Sequence, residues 1–355
     1  MNVSTIGLDI AKASFQLHGI DAAGATVLRR KLPRGKVLAF FRDLPPATVG
    51  LEACASAQHW ARQIAALGHQ VRMLSPRLVK AYVTRQKNDA ADAAAICEAA
   101  SRPASRTVPV KTAQQQAGLS LLNSRAILVK QRTMLVNALR GHLGEFGLVA
   151  AKGQQGRSAL AALLAHPDLP QLARVACQAL LAQIDALAKQ ISALEASLRQ
   201  RHREDATSQR LATIPGIGLL GAAALSLGTT PERYDNARDY AASIGNVPRQ
   251  NSTGGRPRLG GISRMGNSAV RALLINGASA LLQRLRPRNA APPAALANSA
   301  LGAWALELLA RKPWRVVMVA LANKLARIAW AVATRGTAFQ PAGSHPQPAP
   351  HQGRP

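Results

Sequence analysis

The order of apolar segments near the N-terminus limits most strongly what this chain can fold into. A short apolar run, residues 3–8, ends in Asp9. Two further segments follow, 14–20 with alternating apolar residues and 26–32, and the turn-type residues 21–24 separate them. Alternation with a period of two is typical of strands, and clusters containing Asp and Gly are typical of the turns between them. The pattern predicts a three-stranded meander with a carboxylate on its first strand.

The segments after the meander alternate between strand and helix patterns. Residues 35–43 and 55–67 have helical patterns, whereas 48–52 and 70–74 have the composition of strands. Three sequential strands followed by strands that alternate with helices is the element order of an RNase H-like fold. We therefore predict an α/β RNase H-like N-terminal domain, with other α/β orders still open.

Four carboxylates are candidates for a metal site. Asp9 and Glu52 each end an apolar strand segment, where a charge is costly unless it binds a cation. Asp89 and Asp92 are three residues apart in an Ala-rich helical stretch, so they share one helix face. Taken singly, each acid is better explained as a turn or surface-helix residue. As a set they predict a site for Mg²⁺ or Mn²⁺, because paired hard cations can stabilise both oxygens of a phosphodiester displacement.

The middle of the chain predicts long helices. Residues 112–145 have one apolar side and form the first of them. In the second, leucine and isoleucine recur at steps of four and three, at Leu180, Ile184, Leu187, Ile191, Leu194 and Leu198. Such a heptad seam predicts a helical coiled-coil arm that pairs with another helix, either of the same chain or of a second copy.

A segment rich in glycine and arginine, residues 245–266, contains no carboxylate. Its paired glycines and its prolines interrupt any helical or strand period, which predicts an irregular loop around a ligand. Four arginines indicate that this ligand is a phosphate, since guanidinium groups bind phosphate in a bidentate way. Ser252 lies among them, either as another phosphate ligand, the commoner role of such a hydroxyl, or as a nucleophile.

The sequence Ile-Pro-Gly-Ile-Gly at 214–218 is typical of a helix-hairpin-helix turn, whose backbone N–H groups hold one phosphate. A tight turn without a ligand is the alternative. Further helices are predicted at 231–242, 268–285, 294–309 and 313–333. The last residues are rich in Pro, Gly, His and Gln, which predicts a disordered tail.

The charge of the chain is strongly unbalanced. Lys and Arg number 45 against 17 Asp and Glu, a formal net charge of +28, and no acid occurs between Tyr240 and Leu306. This balance indicates a polyanionic partner, and we expect nucleic acid. A membrane partner is not expected, because Asn323, Lys324 and Arg327 interrupt the most apolar late segment. We predict a cytoplasmic protein whose three scattered cysteines are reduced packing residues.

Several short motifs together resemble one protein family. They are Gly-Leu-Asp-Ile-Ala-Lys around Asp9, Gly-Leu-Glu-Ala around Glu52, the Asp89 and Asp92 pair, Ile-Pro-Gly-Ile-Gly, and Pro-Arg-Gln-Asn-Ser-Thr-Gly-Gly at 248–255. In order and spacing they resemble the DEDD transposases of bacterial insertion sequences related to the Piv DNA invertase, the IS110 family. The resemblance extends from about residue 3 to about residue 335.

The resemblance implies a RuvC-like domain whose four acids bind magnesium, a coiled-coil arm and a C-terminal transposase domain. It implies recombination guided by a structured RNA, with a serine that becomes linked to DNA. Ser252 matches that serine, but some relatives have two serines where this chain has Ser252 and Thr253, so the nucleophile is one of these two. The expected nucleic-acid contacts are Gly216, Gly218, Arg249, Thr253, Gly254, Gly255, Arg256, Arg258 and Arg264.

These observations predict four regions: a RuvC-like domain at 1–150, an arm at 151–208, a mainly α-helical transposase domain with the helix-hairpin-helix at 209–338, and a disordered tail at 339–355. The expected function is DNA strand cleavage and rejoining by a dimer or tetramer. One rival is a metal-dependent junction nuclease that uses the acids alone. The other is an inactive copy that only binds nucleic acid.

Overall fold

The structure is a computed structural model that describes residues 2–83, 88–150, 156–287 and 290–341. The chain divides into two compact units, residues 1–114 and the residues from 115 onward. The first unit contains β1 (Thr5–Ile10), β2 (Ser14–Ile20), β3 (Thr26–Pro33), α1 (Val37–Arg42), β4 (Thr48–Glu52), α2 (Ala57–Ala66), β5 (Gln70–Leu74), α3 (Pro76–Lys80), α4 (Asp89–Ser101) and β6 (Thr107–Val108).

The first unit is built on one six-stranded sheet in the order β3-β2-β1-β4-β5-β6. The strands β1, β2 and β3 form the predicted antiparallel meander, and β4 then pairs with β1 in parallel. The strand β5 pairs with β4 in parallel, and β6 closes the far edge in the antiparallel sense. All five strands predicted for this unit are confirmed, whereas the two-residue β6 was not predicted.

The two faces of this sheet carry different helices. On one face Leu8, Phe15 and Leu51 pack in a core with α1 and α2. The other face is covered by α4, and it contains glycines where α4 crosses the sheet. A Cβ atom on Gly7 would lie only 2.1 Å from the carbonyl oxygen of Ala93, and one on Gly50 only 2.5 Å from the Cβ of Ala100. The glycines therefore let α4 lie directly on β1 and β4.

The second unit begins with two long helices. They are α5 (Ala113–Gly144) and, after the short α6 (Gly156–Leu163), α7 (Gln171–Glu204). Arg125 of α5 contacts Glu195 of α7 at 2.6 Å, whereas Leu139 and Leu143 share a core with Cys177. Early residues of one helix thus contact late residues of the other, so the two helices run antiparallel.

This arrangement bears on the predicted heptad seam. Ile184, Leu187, Ile191 and Leu198 are buried within the single chain, and Leu180 and Leu194 are partly buried. The alternative in which the seam pairs with a helix of its own chain is therefore the one observed. The seam is not an exposed surface for a second copy.

The remaining helices form the largest core of the chain. They are α8 (Ala206–Ala212), α9 (Leu219–Gly228), α10 (Ala237–Ile244), α11 (Ser268–Leu285), α12 (Ala294–Ala297), α13 (Ala300–Arg311) and α14 (Trp314–Arg335), with β7 (Pro248–Gln250) and β8 (Leu259–Ile262) between α10 and α11. One described helix, α14, is long and apolar enough to cross a membrane by length and composition. It packs against α10 and α11 and buries Val317, Leu321 and Leu325 there, as a core helix does.

Three predicted elements of this region differ in the structure. The helix expected at 231–242 is divided, because residues 231–233 form a separate 3₁₀ turn and the Asn236 side chain starts α10 by accepting hydrogen bonds from the Arg238 and Asp239 N–H groups. The helix expected at 294–309 is broken, because the Ser299 hydroxyl accepts a hydrogen bond from the Gly302 N–H and starts a new helix there. The expected irregular loop is wrong, since β7 and β8 pair as an antiparallel hairpin. Short exposed strands are held by backbone hydrogen bonds and turn geometry, so they need no apolar alternation.

The predicted tail begins in described structure. Phe339 packs against the core formed by α8 to α14, and its N–H donates a hydrogen bond of 2.8 Å to the Thr213 hydroxyl. Residues 342–355 lie outside the described residues.

Candidate metal site and serine hairpin

Asp9 and Glu52 lie side by side on the α4 face of the sheet. Leu8 pairs with Leu51 in the parallel register of β1 and β4, so the next residues, Asp9 and Glu52, occupy equivalent positions. Gly7 and Gly50 precede them by two residues and face α4. Since side chains alternate across a strand, both carboxylates share that face.

The first turn of α4 carries the other two acids. The Asn88 side chain caps this helix by accepting a hydrogen bond of 2.8 Å from the Ala91 N–H. Asp89 and Asp92 follow in the first turn, where negative charge is favourable. At the other end of α4, Arg72 of β5 donates hydrogen bonds to the carbonyls of Ala100 and Arg102. Both ends of the helix are therefore fixed.

The pKa of Asp9 depends on burial and on the charges of the other three acids. The pKa of Asp9 is raised from 3.8 to about 6, first by burial and then by the charges of Asp92, Asp89 and Glu52, whereas one backbone hydrogen bond from Ile10 lowers it. Burial also raises the pKa of the Cys54 thiol, followed by the charges of Glu52 and Asp9. The predicted acids thus lie in one electrostatic neighbourhood, and Cys54 is an unpredicted member of it.

The four carboxylates do not converge at ligand distance. Among the residues that the structure describes, no group of three or more His, Cys, Asp or Glu side chains could hold a metal ion. The two observations are compatible because charges interact over several Å, whereas metal–oxygen bonds need about 2.0–2.6 Å. The set therefore has the right chemistry and one common face, and the predicted four-carboxylate site stays a prediction.

Ser252 lies on the hairpin formed by β7 and β8. Its Oγ accepts one hydrogen bond of 3.1 Å from the Arg258 N–H and another of 3.0 Å from the Gln250 side chain. Asn251 donates a backbone hydrogen bond to the Arg258 carbonyl, which extends the pairing beyond the named strands. The side chain of Ser252 is exposed, and its own O–H remains available as a donor.

The tip of the hairpin is a tight turn. The Arg256 N–H donates to the Thr253 carbonyl at 3.0 Å, and the two residues between them, Gly254 and Gly255, have φ values of 54° and 74°. Positive φ at both central positions defines a type I′ turn, the turn that matches the twist of a hairpin. These glycines are therefore explained by the turn itself, and their predicted contact with nucleic acid stays untested.

The predicted arginines surround the serine on an exposed surface. Arg249, Arg256 and Arg258 are exposed on the hairpin, and Arg264 follows it with a positive φ of 55°, which is unusual for a residue other than glycine. All four are thus available to an anionic ligand. None of them lies in the unit that contains the four acids.

Comparison with known proteins supports a single assignment. A family model described as "Transposase", of the DEDD type of IS110 elements, matches residues 6–147, and the model "Transposase IS116/IS110/IS902 family" matches residues 208–292. The chain is 46% identical over 348 residues to "Probable family 20 transposase" of Pseudomonas aeruginosa, covering 96% of this chain and 100% of the other. It is 40% identical over 340 residues to "Transposase for insertion sequence element IS1328" of Yersinia enterocolitica, covering 95% and 99%, and 37% identical over 345 residues to that for IS1111A of Coxiella burnetii, covering 96% and 92%.

The chain belongs to the IS110 family of transposases. It is accordingly a DNA transposase, an enzyme that binds DNA, and the DEDD type implies a divalent metal ion. The first family match contains Asp9, Glu52, Asp89 and Asp92, and the second contains Gly216, Gly218 and the hairpin with Ser252. The expected family membership and enzyme class are therefore confirmed.

The helix-hairpin-helix turn of this IS110-family protein packs on its own core. Gly216 has a φ of 85°. A Cβ atom on Gly277 of α11 would lie only 1.9 Å from the carbonyl oxygen of Gly216. Gly216 is thus required by turn geometry and packing, whereas Gly218 is exposed at the start of α9. Of the two predicted phosphate contacts, Gly218 is the more accessible.

Sequence reasoning missed the residues that hold the hairpin. A Cβ on Gly245 would lie 2.3 Å from the Met265 carbonyl oxygen, and one on Gly266 only 1.7 Å from that of Ser243. Arg271 of α11 then donates to the carbonyls of Ile244 and Met265 at 2.8 and 2.7 Å. The glycine spacing was a usable signal, but an arginine that binds carbonyls has no sequence signature.

Proposed function

We propose that this transposase cleaves and rejoins DNA strands with a metal site formed by Asp9, Glu52, Asp89 and Asp92 and with Ser252 as nucleophile. The observation that supports the metal site most is the pKa of Asp9, because burial and then the charges of Asp92, Asp89 and Glu52 raise it. We also propose that the N-terminal unit is RNase H-like, of the RuvC-like type, since an antiparallel meander of β1 to β3 is followed by the parallel strands β4 and β5, in the sheet order β3-β2-β1-β4-β5.

The proposed site would hold Mg²⁺ or Mn²⁺, hard cations that prefer carboxylate oxygens. A bound divalent ion would offset the repulsion among the carboxylates and stabilise charge on phosphate oxygens. The protein's contribution is placement. Neighbouring parallel strands fix Asp9 and Glu52, and the capped first turn of α4 would supply Asp89 and Asp92 to the same ion.

The proposed serine step conserves bond energy. The Ser252 Oγ attacks a backbone phosphorus atom, its proton leaves to an acceptor, and the bond from phosphorus to the leaving deoxyribose oxygen breaks as that oxygen gains a proton. Attack of a DNA hydroxyl on the phosphoserine reverses these changes and rejoins the strand. Arg249, Arg256 and Arg258 would bind the phosphate and stabilise its developing charge.

Partners beyond DNA are also proposed. The net charge of +28 supports binding of a structured guide RNA in addition to DNA. We propose a dimer or tetramer that assembles through surfaces other than the seam at 180–198, because that seam is buried within one chain. The cytoplasm is the proposed location, where the DNA is accessible.

One observation favours a second candidate, a metal-dependent junction nuclease. The Ser252 Oγ already accepts two hydrogen bonds, and its remaining O–H could donate to a phosphate oxygen. In that case the hairpin would only hold the backbone. No covalent intermediate would form.

The test uses a plasmid that carries the gene with its native flanking DNA, and it measures excision junctions and protein-bound DNA ends after rapid denaturation. Asp9→Asn and Asp92→Asn should each abolish excision with the fold retained. Ser252→Ala should remove both the covalent adduct and strand exchange, whereas Thr253→Ala should be milder because a secondary alcohol is a more crowded attacker. An adduct on Thr253 would reassign the nucleophile. Full activity of Ser252→Ala would establish the nuclease instead, and activity of both Asn variants would exclude the metal site.

A further inference from the structure

The face of the sheet that carries the acids continues onto β2 and β3. In the antiparallel registers Asp9 pairs with Gln16, and Gln16 pairs with Lys31. Directly paired residues project from the same face of a sheet, so these three side chains form one row across three strands. Two strand spacings separate the backbone of Asp9 from that of Lys31, which is about 9–10 Å.

A second row lies beside the first. Gly7 pairs with His18, and His18 pairs with Arg29. Gly7 faces α4, so His18 and Arg29 are on the same side of the sheet as Asp9. Arg29 and Lys31 are both exposed, and both belong to β3, the strand at the edge of the sheet. The acids are thus flanked on the β3 side by two exposed cations.

These two cations have no carboxylate partner within the part of the chain that the structure describes. No ion pair or side-chain hydrogen bond found there includes Arg29 or Lys31. The neighbouring His18 is affected by one of them, because burial and then the charge of Arg29 lower its pKa. Positive charge is therefore concentrated on this flank.

Two nearby arginines, Arg30 and Arg34, differ from Arg29 and Lys31 because they stack on aromatic rings. Arg30 projects to the opposite face, where its guanidinium stacks on the Phe40 ring at 5.7 Å. Arg34 stacks on the rings of Phe15 and Trp60 at 5.6 and 5.1 Å. Cation–π packing explains those two residues. It does not explain Arg29 and Lys31, which contact no aromatic ring among the described residues.

We propose that Arg29 and Lys31 form a phosphate-binding track for the DNA strand that is cleaved, with Gln16 between this track and the acids. The inference rests on the proposed metal site, because a phosphate held at Asp9 places the adjoining backbone over neighbouring side chains of the same face. Opposite charges two strands apart on one face suit this division: the acids would hold cations, and the track binds the flanking phosphates directly. We assign DNA rather than RNA because the track adjoins the proposed scissile phosphate.

The test compares two double variants that each remove two charges from the same unit. Arg29→Gln with Lys31→Gln alters the track, and Lys36→Gln with Arg42→Gln alters exposed cations at α1, on the other side of the sheet. Binding of the full-length protein to a mixed-sequence DNA duplex and to a mixed-sequence RNA hairpin is measured over a range of salt concentrations. For the DNA duplex we expect the track variant alone to lower the magnitude of the slope of log affinity against log salt by about 1.8, or about 0.9 for each lost phosphate contact.

Three outcomes would overturn the proposal. Equal slopes for the two double variants would indicate general electrostatics, and a change for RNA alone would assign the track to RNA. Unchanged binding with new aggregation would mean that the cations protect an edge strand. The binding assay needs no cleavage, so it is independent of the proposed reaction. Absence of excision by the wild-type protein would count against that reaction, whereas wild-type excision with an unchanged DNA slope would count against the track alone.

Discussion

Asp9 lies at the end of a central strand covered on both faces, whereas Ser252 lies on a hairpin in which every residue from 248 to 261 is exposed. Strand registers and close helix packing place the acids. The serine is placed by backbone hydrogen bonds within the hairpin and by a clamp at its base, where Gly245, Gly266 and Arg271 meet.

This difference indicates how each region responds to an amino-acid substitution. A region held by buried packing transmits a small steric change to the whole unit, because packed interiors have little free volume. A hairpin held at its base opens locally at a low free-energy cost. The acid face is therefore a fixed platform, and the serine hairpin is the part that can change its conformation.

The largest effect is expected at Gly7. Gly7→Ala places a Cβ about 2 Å from the Ala93 carbonyl, so α4 must move off the sheet, and we expect unfolding of the first unit to become easier by about 3 kcal/mol or more. Hydrogen exchange of β1 and α4 peptides measures this. Gly35→Ala is the control, because a Cβ there has open space. Unchanged exchange in Gly7→Ala would show that α4 does not pack closely on β1.

The clamp at the hairpin base should give the next effect. Arg271→Met keeps the aliphatic stem and removes the donors to Ile244 and Met265, at a cost of about 1.5–3 kcal/mol. Exchange should increase at 244–266 while the rest of α11 stays protected. Arg284→Met, on the same helix and exposed, is the matched control. Equal protection in both variants would mean that the glycine contacts hold the hairpin without Arg271.

A smaller effect, of opposite sign, is expected at Asp9. A folded pKa of about 6 against 3.8 means that ionised Asp9 destabilises the fold increasingly from about pH 4 to pH 6 and fully above it. Asp9→Asn should therefore stabilise the metal-free protein at pH 7.5 by about 1–2 kcal/mol after solvent screening, and the gain should disappear near pH 4. Thermal unfolding in a chelator measures this, with Asp43→Asn as the control. A gain that is independent of pH would contradict the electrostatic explanation.

The smallest effect is expected at the hairpin tip. Gly255→Ala forces a φ of 74° on a residue with a side chain, which costs roughly 1 kcal/mol, and a Cβ there meets no other atom within 4 Å. Exchange should increase only near 251–258, without a change in thermal stability of the first unit. A loss of stability as large as that of Gly7→Ala would remove the contrast between platform and hairpin.

The sequence alone was sufficient for the order of β1 to β5 and for the choice of the candidate acids. Alternation predicted β2, whereas short apolar runs bounded by turn residues predicted the other strands from β1 to β5, because strands buried on both faces need not alternate. The heptad steps predicted α7. Asp9 and Glu52 could be selected because a carboxylate that ends an apolar strand is costly without a cation. These signals come from residues that are close together in the sequence, so they can be recognised without the tertiary structure.

Only the tertiary structure decided what depends on distant residues. It showed that the heptad seam faces α5 of the same chain, because Ile184 shares a buried core with Leu139 and Leu143 in the antiparallel packing of the two helices. It showed that the expected loop is a hairpin, since exposed strands are held by backbone pairing and carry no apolar alternation. It also placed Lys31 and Arg29 on the face of Asp9, because strand register is set by pairing across the sheet and not by neighbours along the chain.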